Sequence, residues 1–135
     1  MDVLPDQVLR NFTAFYDRIE QFVANLTPDT DLKQIEDTLP PTYLKTFGVP
    51  GMDEPLPCTR EEALAGLRQS IASGNKVHAL NRAIRMRSAT EAVVFVERVA
   101  ERGGKPVGRT FHVEDFRLLD GSWQMVRETM EVLAP

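Results

Sequence analysis

The pattern of apolar and polar residues from position 90 onward predicts three β-strands joined by tight turns. The predicted strands, which are rich in β-branched and aromatic residues, are 90–102, 106–119 and 122–134. The dipeptides Gly103-Gly104 and Asp120-Gly121 lie between them, and both favour the short turns of β-hairpins. The last third of the chain is therefore predicted to form an antiparallel meander that the preceding segments cover.

Apolar residues at three- and four-residue spacing predict a long amphipathic helix near the amino terminus. Its apolar positions are Val8, Phe12, Phe15, Ile19, Phe22, Val23 and Leu26. A short second helix is predicted over residues 31–36. Thr59 and Glu62 form a capping-box pattern, which predicts the start of a third helix that continues through Ile71.

The segment between the second and third helices, residues 39–57, contains five prolines and two glycines and is predicted to be a loop. Its apolar residues indicate that it packs against the protein, either as the rim of a pocket or as a surface loop with hydrophobic anchors. Residues 77–87 suit a helix or a strand. We predict a strand there, because the segment leads directly into the hairpins.

The composition is typical of a globular protein, with 42% apolar and 27% charged residues in a chain of 135. A chain of this length can bury one continuous core, so residues 1–135 are expected to form a single domain. The net charge of -4 disfavours nucleic acid and anionic membranes as partners, because both attract an excess of Lys and Arg.

No stretch approaches the roughly 20 consecutive apolar residues of a membrane-spanning helix, and the first residues lack the pattern of a secretion signal. Cys58 is the only cysteine, which excludes an internal disulfide and suits a reducing compartment. A cytoplasmic location is therefore expected.

Two stretches carry a resemblance to a known superfamily: AFYDRIEQFVANLTPDTDLKQI (14–35) and FRLLDGSWQMVRETM (116–130). With the predicted order of helices, loop and strands, they resemble the nuclear-transport-factor-2-like superfamily, which includes SnoaL-like cyclases, ketosteroid isomerases, scytalone dehydratases and limonene epoxide hydrolases. The resemblance implies an α+β fold whose cone-shaped, curved antiparallel sheet wraps around amino-terminal helices. It also implies a pocket between sheet and helices, and a homodimer. This fold serves enzymes and assembly modules alike, so it does not give the activity.

The first strand of the predicted meander carries one charge on its apolar face. A two-residue period puts Arg98 on the face opposite to Glu91 and Glu97. Its apolar neighbours on that face are Ala92, Val94, Val96 and Ala100. An unpaired buried guanidinium is costly, so Arg98 is expected to have a carboxylate partner, and Glu128 is the expected one.

The stretches VFVERVAER and VRETM resemble the strands of limonene epoxide hydrolases that carry an arginine and two catalytic aspartates. Arg98 stands in the place of the arginine, Ala100 in that of the first aspartate and Glu128 in that of the second. Because that mechanism needs both acids, the missing one disfavours epoxide hydrolysis. A structural pair of Arg98 and Glu128 in the pocket wall is the favoured interpretation.

The orientation of His112 depends on the length of the two hairpin turns. Three-residue loops would place Thr110 and His112 on the same face as Arg98, and Glu128 would then share that face. Two-residue loops would present Phe111 there instead, because a one-residue slip exchanges the faces of a strand. The family resemblance favours the first arrangement. His112 would then either pack or act as a general acid or base between a carboxylate and a hydroxyl.

The first helix carries a second resemblance, since Tyr16 and Asp17, with Tyr43, are similar to the tyrosine and acid that polarise a ketone in ketosteroid isomerases. Asp53 is the nearest candidate for the base of those enzymes. Tyr16 is expected to direct its hydroxyl into the pocket or to pack. Cys58 is interpreted as a packed side chain, because no base adjoins it in the sequence.

The sequence leaves two functions open. In the first, the protein binds a small, mostly apolar organic ligand, with His112, Glu128 and Arg98 as candidate catalytic residues. The candidate ligand-binding residues are Tyr16, Val94, Val96, Thr110, Phe47 and Met130. In the second, it is a non-catalytic homodimer whose interface is the outer face of the sheet. No metal or cofactor is predicted, because the sequence shows neither paired metal ligands nor a nucleotide-binding glycine motif.

Overall fold

The computed structural model describes residues 5–133, which form three helices and six strands. In chain order these are α1 (Asp6–Ala24), α2 (Lys33–Glu36), β1 (Leu44–Gly48), β2 (Leu56–Thr59), α3 (Arg60–Ala72), β3 (Lys76–Ser88), β4 (Glu91–Arg102), β5 (Lys105–Leu119) and β6 (Ser122–Val132). The strands form one curved, unclosed sheet in the order β2-β1-β6-β5-β4-β3. The predicted α+β class, the meander and the strand after α3 are confirmed.

The prediction of a loop over residues 39–57 is wrong in part, because β1 and the first half of β2 lie there. β1 pairs parallel with β6, and every other pair of neighbouring strands is antiparallel. β2 folds back as the edge strand, where Pro57 is tolerated because an edge strand has one unpaired side. Strands as short as these carry too few residues for a recognisable alternation.

Both hairpins of the meander turn through two residues. Gly103-Gly104 connects β4 to β5, and Asp120-Gly121 connects β5 to β6. All four residues have positive φ angles, which glycine adopts freely and aspartate tolerates. Turns of this length alone would have directed His112 away from the helices.

A β-bulge in each hairpin decides which side chains face the helices. The pairing of β4 with β5 slips by one residue between Ala100 and Glu101. The pairing of β5 with β6 slips in the same way between Asp115 and Phe116. Each slip exchanges the faces that a two-residue turn would give. His112 is therefore on the inner face, as the favoured register predicted, although by bulges and not by longer loops.

Helix α1 lies across the concave face of the sheet and is held there by aromatic residues. The ring of Phe12, which is fully buried, lies 5.2 Å from that of Phe116 and 4.9 Å from that of Trp123, in edge-to-face contacts. Tyr16 follows one turn later and is 1% exposed. We call this group the aromatic cluster; its members are Phe12, Tyr16, Ala92, Val94, Val96 and Phe116.

A second group of buried residues joins the end of α1 to α2 and α3. Its members are Leu26, Leu32, Ile35, Leu39, Tyr43, Leu64 and Ile71. The predicted capping box of Thr59 and Glu62 is present at the start of α3. The side chain of Arg60 donates hydrogen bonds to the carbonyl oxygens of Leu39 and Glu36. Within residues 5–133, no helix combines the length and the hydropathy that crossing a bilayer requires.

Candidate functional site

Polar side chains from five elements and one connecting segment meet on the concave face of the sheet, beside the aromatic cluster. Alternation along β4, β5 and β6 turns these side chains towards the same interior. We call them the polar cluster; its members are Tyr16, Tyr43, Lys45, Arg98, Thr110, His112, Glu114 and Glu128. Three of them, His112, Glu114 and Glu128, are buried polar residues.

The first half of the polar cluster is built around Glu114. Arg98 Nη1 donates to Glu114 Oε2 at 2.9 Å, and the hydroxyl of Tyr16 donates to Glu114 Oε1 at 2.5 Å. Arg98 Nη2 also donates to the hydroxyl oxygen of Tyr16 at 2.9 Å. The predicted partner of Arg98, Glu128, is therefore wrong. Glu114 lies on the strand next to Arg98, whereas Glu128 lies one strand farther away.

The second half of the polar cluster is built around Glu128. Lys45 Nζ lies 3.1 Å from Glu128 Oε1, and the hydroxyl of Tyr43 donates to the same oxygen at 3.4 Å. The other oxygen, Oε2, lies 3.6 Å from Nδ1 of His112. Glu128 is thus held by the parallel pairing of β1 with β6, which sets Lys45 directly opposite it.

The two glutamates are cross-strand neighbours, and their surroundings move their pKa values in opposite directions. Burial raises the pKa of Glu114. The charge of Arg98 acts in the opposite direction, and the charge of Glu128 raises this pKa further. Burial alone would also raise the pKa of Glu128. The contact with His112 and the positive charge of Lys45 outweigh it and hold that pKa well below its ordinary value.

The two tyrosines and Arg98 keep their protons throughout the ordinary pH range. Burial and the charge of Glu114 raise the pKa of Tyr16, and burial and the charge of Glu128 raise that of Tyr43. Burial disfavours the charged form of Arg98, but Glu114 more than compensates, so the pKa of Arg98 is raised. These groups serve as fixed donors, which leaves proton transfer to the glutamates and His112.

His112 is buried with one ring nitrogen bonded and the other without a partner. Nε2 lies 2.8 Å from the hydroxyl oxygen of Thr110. Nδ1 has no hydrogen-bond partner among the described residues, although Glu128 is 3.6 Å away. A buried polar atom without a partner is costly. His112 is therefore the member of the polar cluster whose hydrogen bonding is incomplete.

The same residues are close enough to be considered as metal ligands. Ligand atoms of His112, Glu114 and Glu128 lie within 4.8 Å of one another. Arg98 and Lys45 already balance the two carboxylates, however, and both would repel a divalent ion. The donor set is therefore better suited to holding and moving protons than to holding a metal.

An open groove of about 430 Å³ lies beside the polar cluster. It is lined by residues 46–52, Pro55 and residues 129–132. Met130, which lines the groove, lies opposite Phe47 of β1 and opposite His112 of β5, so this one side chain connects the groove to the polar cluster. The segment after β1 forms one wall of the groove.

The structure does not bring all the predicted site residues together. Phe47 and Met130 lie in the groove, whereas Tyr16 and Thr110 lie in the polar cluster. Val94 and Val96, at 0% and 1% exposure, pack under α1 in the aromatic cluster. Helix α1 therefore fills the part of the cone where these valines were expected to contact a ligand.

The weaker candidates lie elsewhere. Asp17 contacts Arg82 at 2.6 Å, Asp53 is exposed, and Cys58 is half-buried in β2. None of them contacts the polar cluster by a hydrogen bond or ion pair among the described residues.

Glu114 and Lys45 are the site residues that the sequence argument missed. Glu114 lies two positions after His112 on the same face of β5, so extending the alternation by one step would have found it. Lys45 offered no such signal, because β1 was predicted to be a loop.

We expect Glu114→Gln to destabilise the protein by about 3–5 kcal/mol, because it leaves the buried guanidinium of Arg98 without a negative charge. Urea unfolding at pH 7 measures the change. Asp115→Asn is the matched control, since the neighbouring Asp115 pairs with Arg87 on the outer face, and surface pairs contribute less than about 1 kcal/mol. Equal losses in both variants would contradict the assignment of Glu114 as the partner.

We expect the stability that Glu128 contributes to be lost in acid. Its pKa is lowered in the folded state, so the unfolded chain takes up the proton first as the pH falls. The contribution is complete above about pH 5 and decreases below about pH 4, as the pH approaches the folded-state pKa. Urea unfolding of the wild type and Glu128→Gln between pH 7 and pH 3 measures the difference between them. A difference that stays constant would contradict this expectation.

The sequence matches no protein-family model and no curated protein. Solved structures, in contrast, match almost the whole chain. An NTF2-like protein of unknown function from Pseudomonas putida KT2440 is 12% identical, with a TM-score of 0.72 over 98% of this chain and 90% of that one. A cystatin-like protein of unknown function from Nostoc punctiforme PCC 73102 is 15% identical, with a TM-score of 0.67 over 98% and 96%.

The yeast UBP3-associated protein BRE5 is also similar in structure, with 10% identity and a TM-score of 0.63 over 99% of this chain and 100% of that one. Identities this low establish the architecture and not the activity. The fold predicted from the sequence is confirmed: the chain has the nuclear-transport-factor-2-like, or cystatin-like, fold.

Proposed function

We propose that the protein binds a small, mostly apolar organic molecule in the groove, with the polar end of that molecule directed to the polar cluster. The proposal depends on one observation: Met130 lines the groove and is also the cross-strand neighbour of His112. An apolar ligand lying along Phe47 and Met130 would thus approach the part of the sheet that carries ionisable groups. A groove of about 430 Å³ is in the range of small-molecule sites.

The polar cluster suits acid and base chemistry on such a ligand. Two adjacent carboxylates whose pKa values are displaced in opposite directions can hold one proton and accept another. His112 adds an imidazole, which can accept a proton at one nitrogen and donate one from the other. Isomerisation, dehydration and hydrolysis all use groups of this kind, and SnoaL-like proteins are the branch of the fold to which we assign the chain.

The proposed setting is the cytoplasm, with one domain and no cofactor. The one cysteine, Cys58, is a free thiol, which suits a reducing compartment. The groups that the proposed chemistry uses are all side chains of this chain.

We expect members of a panel of steroids, terpenoids and aromatic polyketides to raise the melting temperature, because a ligand that binds only the folded state stabilises it. Met130→Glu should abolish the increase by placing a carboxylate in the groove. Leu9→Glu is the control, because Leu9 is an exposed apolar residue of α1 outside the groove. Shifts of the same size in Met130→Glu and the wild type would show that the groove is not the site.

The outer face of the sheet supports a second function, that of a homodimeric interaction module. Phe95 and Phe111 are 38% and 37% exposed on adjacent strands, and Val113 lies opposite Phe95. Apolar groups in such a row are typical of a surface that a partner covers. The similar fold of BRE5, a UBP3-associated protein, supports an interaction role as the second proposal.

We expect the protein to be a dimer at micromolar concentration and Phe95→Arg to be a monomer, because two charges would face each other at the centre of the interface. Size-exclusion chromatography with light scattering gives the mass. Leu9→Arg, on an exposed position of α1, should remain a dimer. A monomeric wild type would exclude this interface.

A further inference from the structure

We infer that Thr110, His112 and Glu128 form a nucleophilic triad, and that the substrate is an ester or another activated acyl compound. This inference rests on the proposed function, because it takes the groove as the place where the apolar part of the substrate binds. It goes beyond that proposal by naming the attacking atom, which is Oγ1 of Thr110.

The three side chains lie in a line with the imidazole in the middle. Nε2 of His112 is 2.8 Å from Thr110 Oγ1, and Nδ1 is 3.6 Å from Glu128 Oε2. A hydroxyl, an imidazole and a carboxylate in this order are the parts that hydrolases use to activate a nucleophile. The longer contact is of the kind that tightens when a substrate binds.

The proton positions favour transfer away from the hydroxyl. A proton on Nδ1 would point to the carboxylate of Glu128, and Nε2 would then accept a hydrogen bond from Thr110. The opposite tautomer would place a bare nitrogen against the carboxylate, with nothing to hold it there. Glu128 thereby sets His112 as the base, and no other group among residues 5–133 bonds to Nδ1 and competes with it.

Exposure to solvent increases along the triad from Glu128 to Thr110. Glu128 and His112 are 6% and 7% exposed, whereas Thr110 is only partly buried. Thr110 lies opposite Val132 of β6, which lines the groove. The nucleophile is therefore the most exposed member of the triad, and its cross-strand neighbour is an apolar residue of the groove.

Arg98 lies on the other side of Thr110 and completes the arrangement. It is the cross-strand neighbour of Thr110 in β4, and its guanidinium stays charged while Nη1 is bonded to Glu114 and Nη2 to Tyr16. Positive charge beside a carbonyl carbon under attack stabilises the oxyanion that develops there. Both strands that neighbour β5 therefore contribute to attack on an acyl carbon: β4 provides the positive charge of Arg98, and β6 provides Glu128, which orients His112.

The reaction proceeds in two balanced steps with water as the co-substrate. Thr110 Oγ1 bonds to the acyl carbon while its proton passes to Nε2 of His112, and that proton then leaves with the alcohol whose bond to the acyl carbon breaks. Water next attacks the acyl group on Thr110 and gives its proton to His112. Cleavage of the ester bond to Thr110 releases the acid, and the proton returns from His112 to Oγ1.

Incubation of the wild type with p-nitrophenyl butyrate, followed by acid quench and peptide mass spectrometry, tests the proposal. We expect a butyryl group on the peptide that contains Thr110, together with release of p-nitrophenol. Thr110→Val should lose both, and Thr110→Ser should restore them. Thr42→Val and His78→Asn are matched controls at exposed positions and should behave as the wild type. No adduct in the wild type, or equal turnover by Thr110→Val, would overturn the proposal.

Replacement of His112 by Asn should lower the rate of acylation by about 100-fold or more, because the base is lost. Glu128 acts through His112 and is a positioning residue. Glu128→Gln should therefore displace the pH dependence of acylation, and Glu128→Asp should restore it in part. An unchanged pH profile in Glu128→Gln would contradict its position in the triad.

The failure of the triad can be distinguished from the failure of the groove. Binding of the steroid and terpenoid panel by both the wild type and Thr110→Val, without any adduct, would reject the triad and keep the groove. An adduct on Thr110 that Met130→Glu leaves unchanged would reject the groove as the place where the apolar part of the substrate binds.

Discussion

The burial of two carboxylates side by side is the constraint on which the structure depends. Glu114 and Glu128 face each other between β5 and β6, where both are buried. Removing charges from water is costly unless opposite charges and hydrogen bonds replace the water. Arg98 and Tyr16 do this for Glu114, and Lys45 does it for Glu128. Since these partners come from β4, α1 and β1, the charges are compensated only when all three elements have docked on the sheet.

Helix α1 connects this electrostatic requirement to the hydrophobic core. The ring of Tyr16 belongs to the aromatic cluster, while its hydroxyl belongs to the polar cluster. From the neighbouring strand β3, Arg82 lies over the same ring at 5.6 Å and pairs with Asp17 at 2.6 Å. The position of α1 is therefore determined by packing against the sheet and by charged contacts with β3, β4 and β5, which gives the donors of the site a fixed geometry.

The parts of the structure that local patterns encode could be predicted from the sequence. The helices, the hairpins and the inner face of β4 depend on residues close together in the chain, so periodicity and turn residues find them. The predicted partner of Arg98 was wrong although the predicted meander already places β5 next to β4, and the alternation along β5 reaches Glu114 one step beyond His112. Lys45 was missed because its strand pairs with a segment more than eighty positions away. The orientation of His112 was right, but no local signal reveals the bulges that produce it.

Those bulges determine which kinds of genetic change the site tolerates. The extra residue of the first bulge, Val107, is half exposed and contributes little to the core, so replacing it by another amino acid leaves the arrangement of the strands intact. Deleting it would shift the pairing of β5 with β4 by one residue, and His112 and Glu114 would then lie on the outer face of the sheet. Point substitutions can therefore change the buried site one side chain at a time. A one-residue insertion or deletion in a hairpin instead moves all of its inward-facing side chains to the outer face in one step.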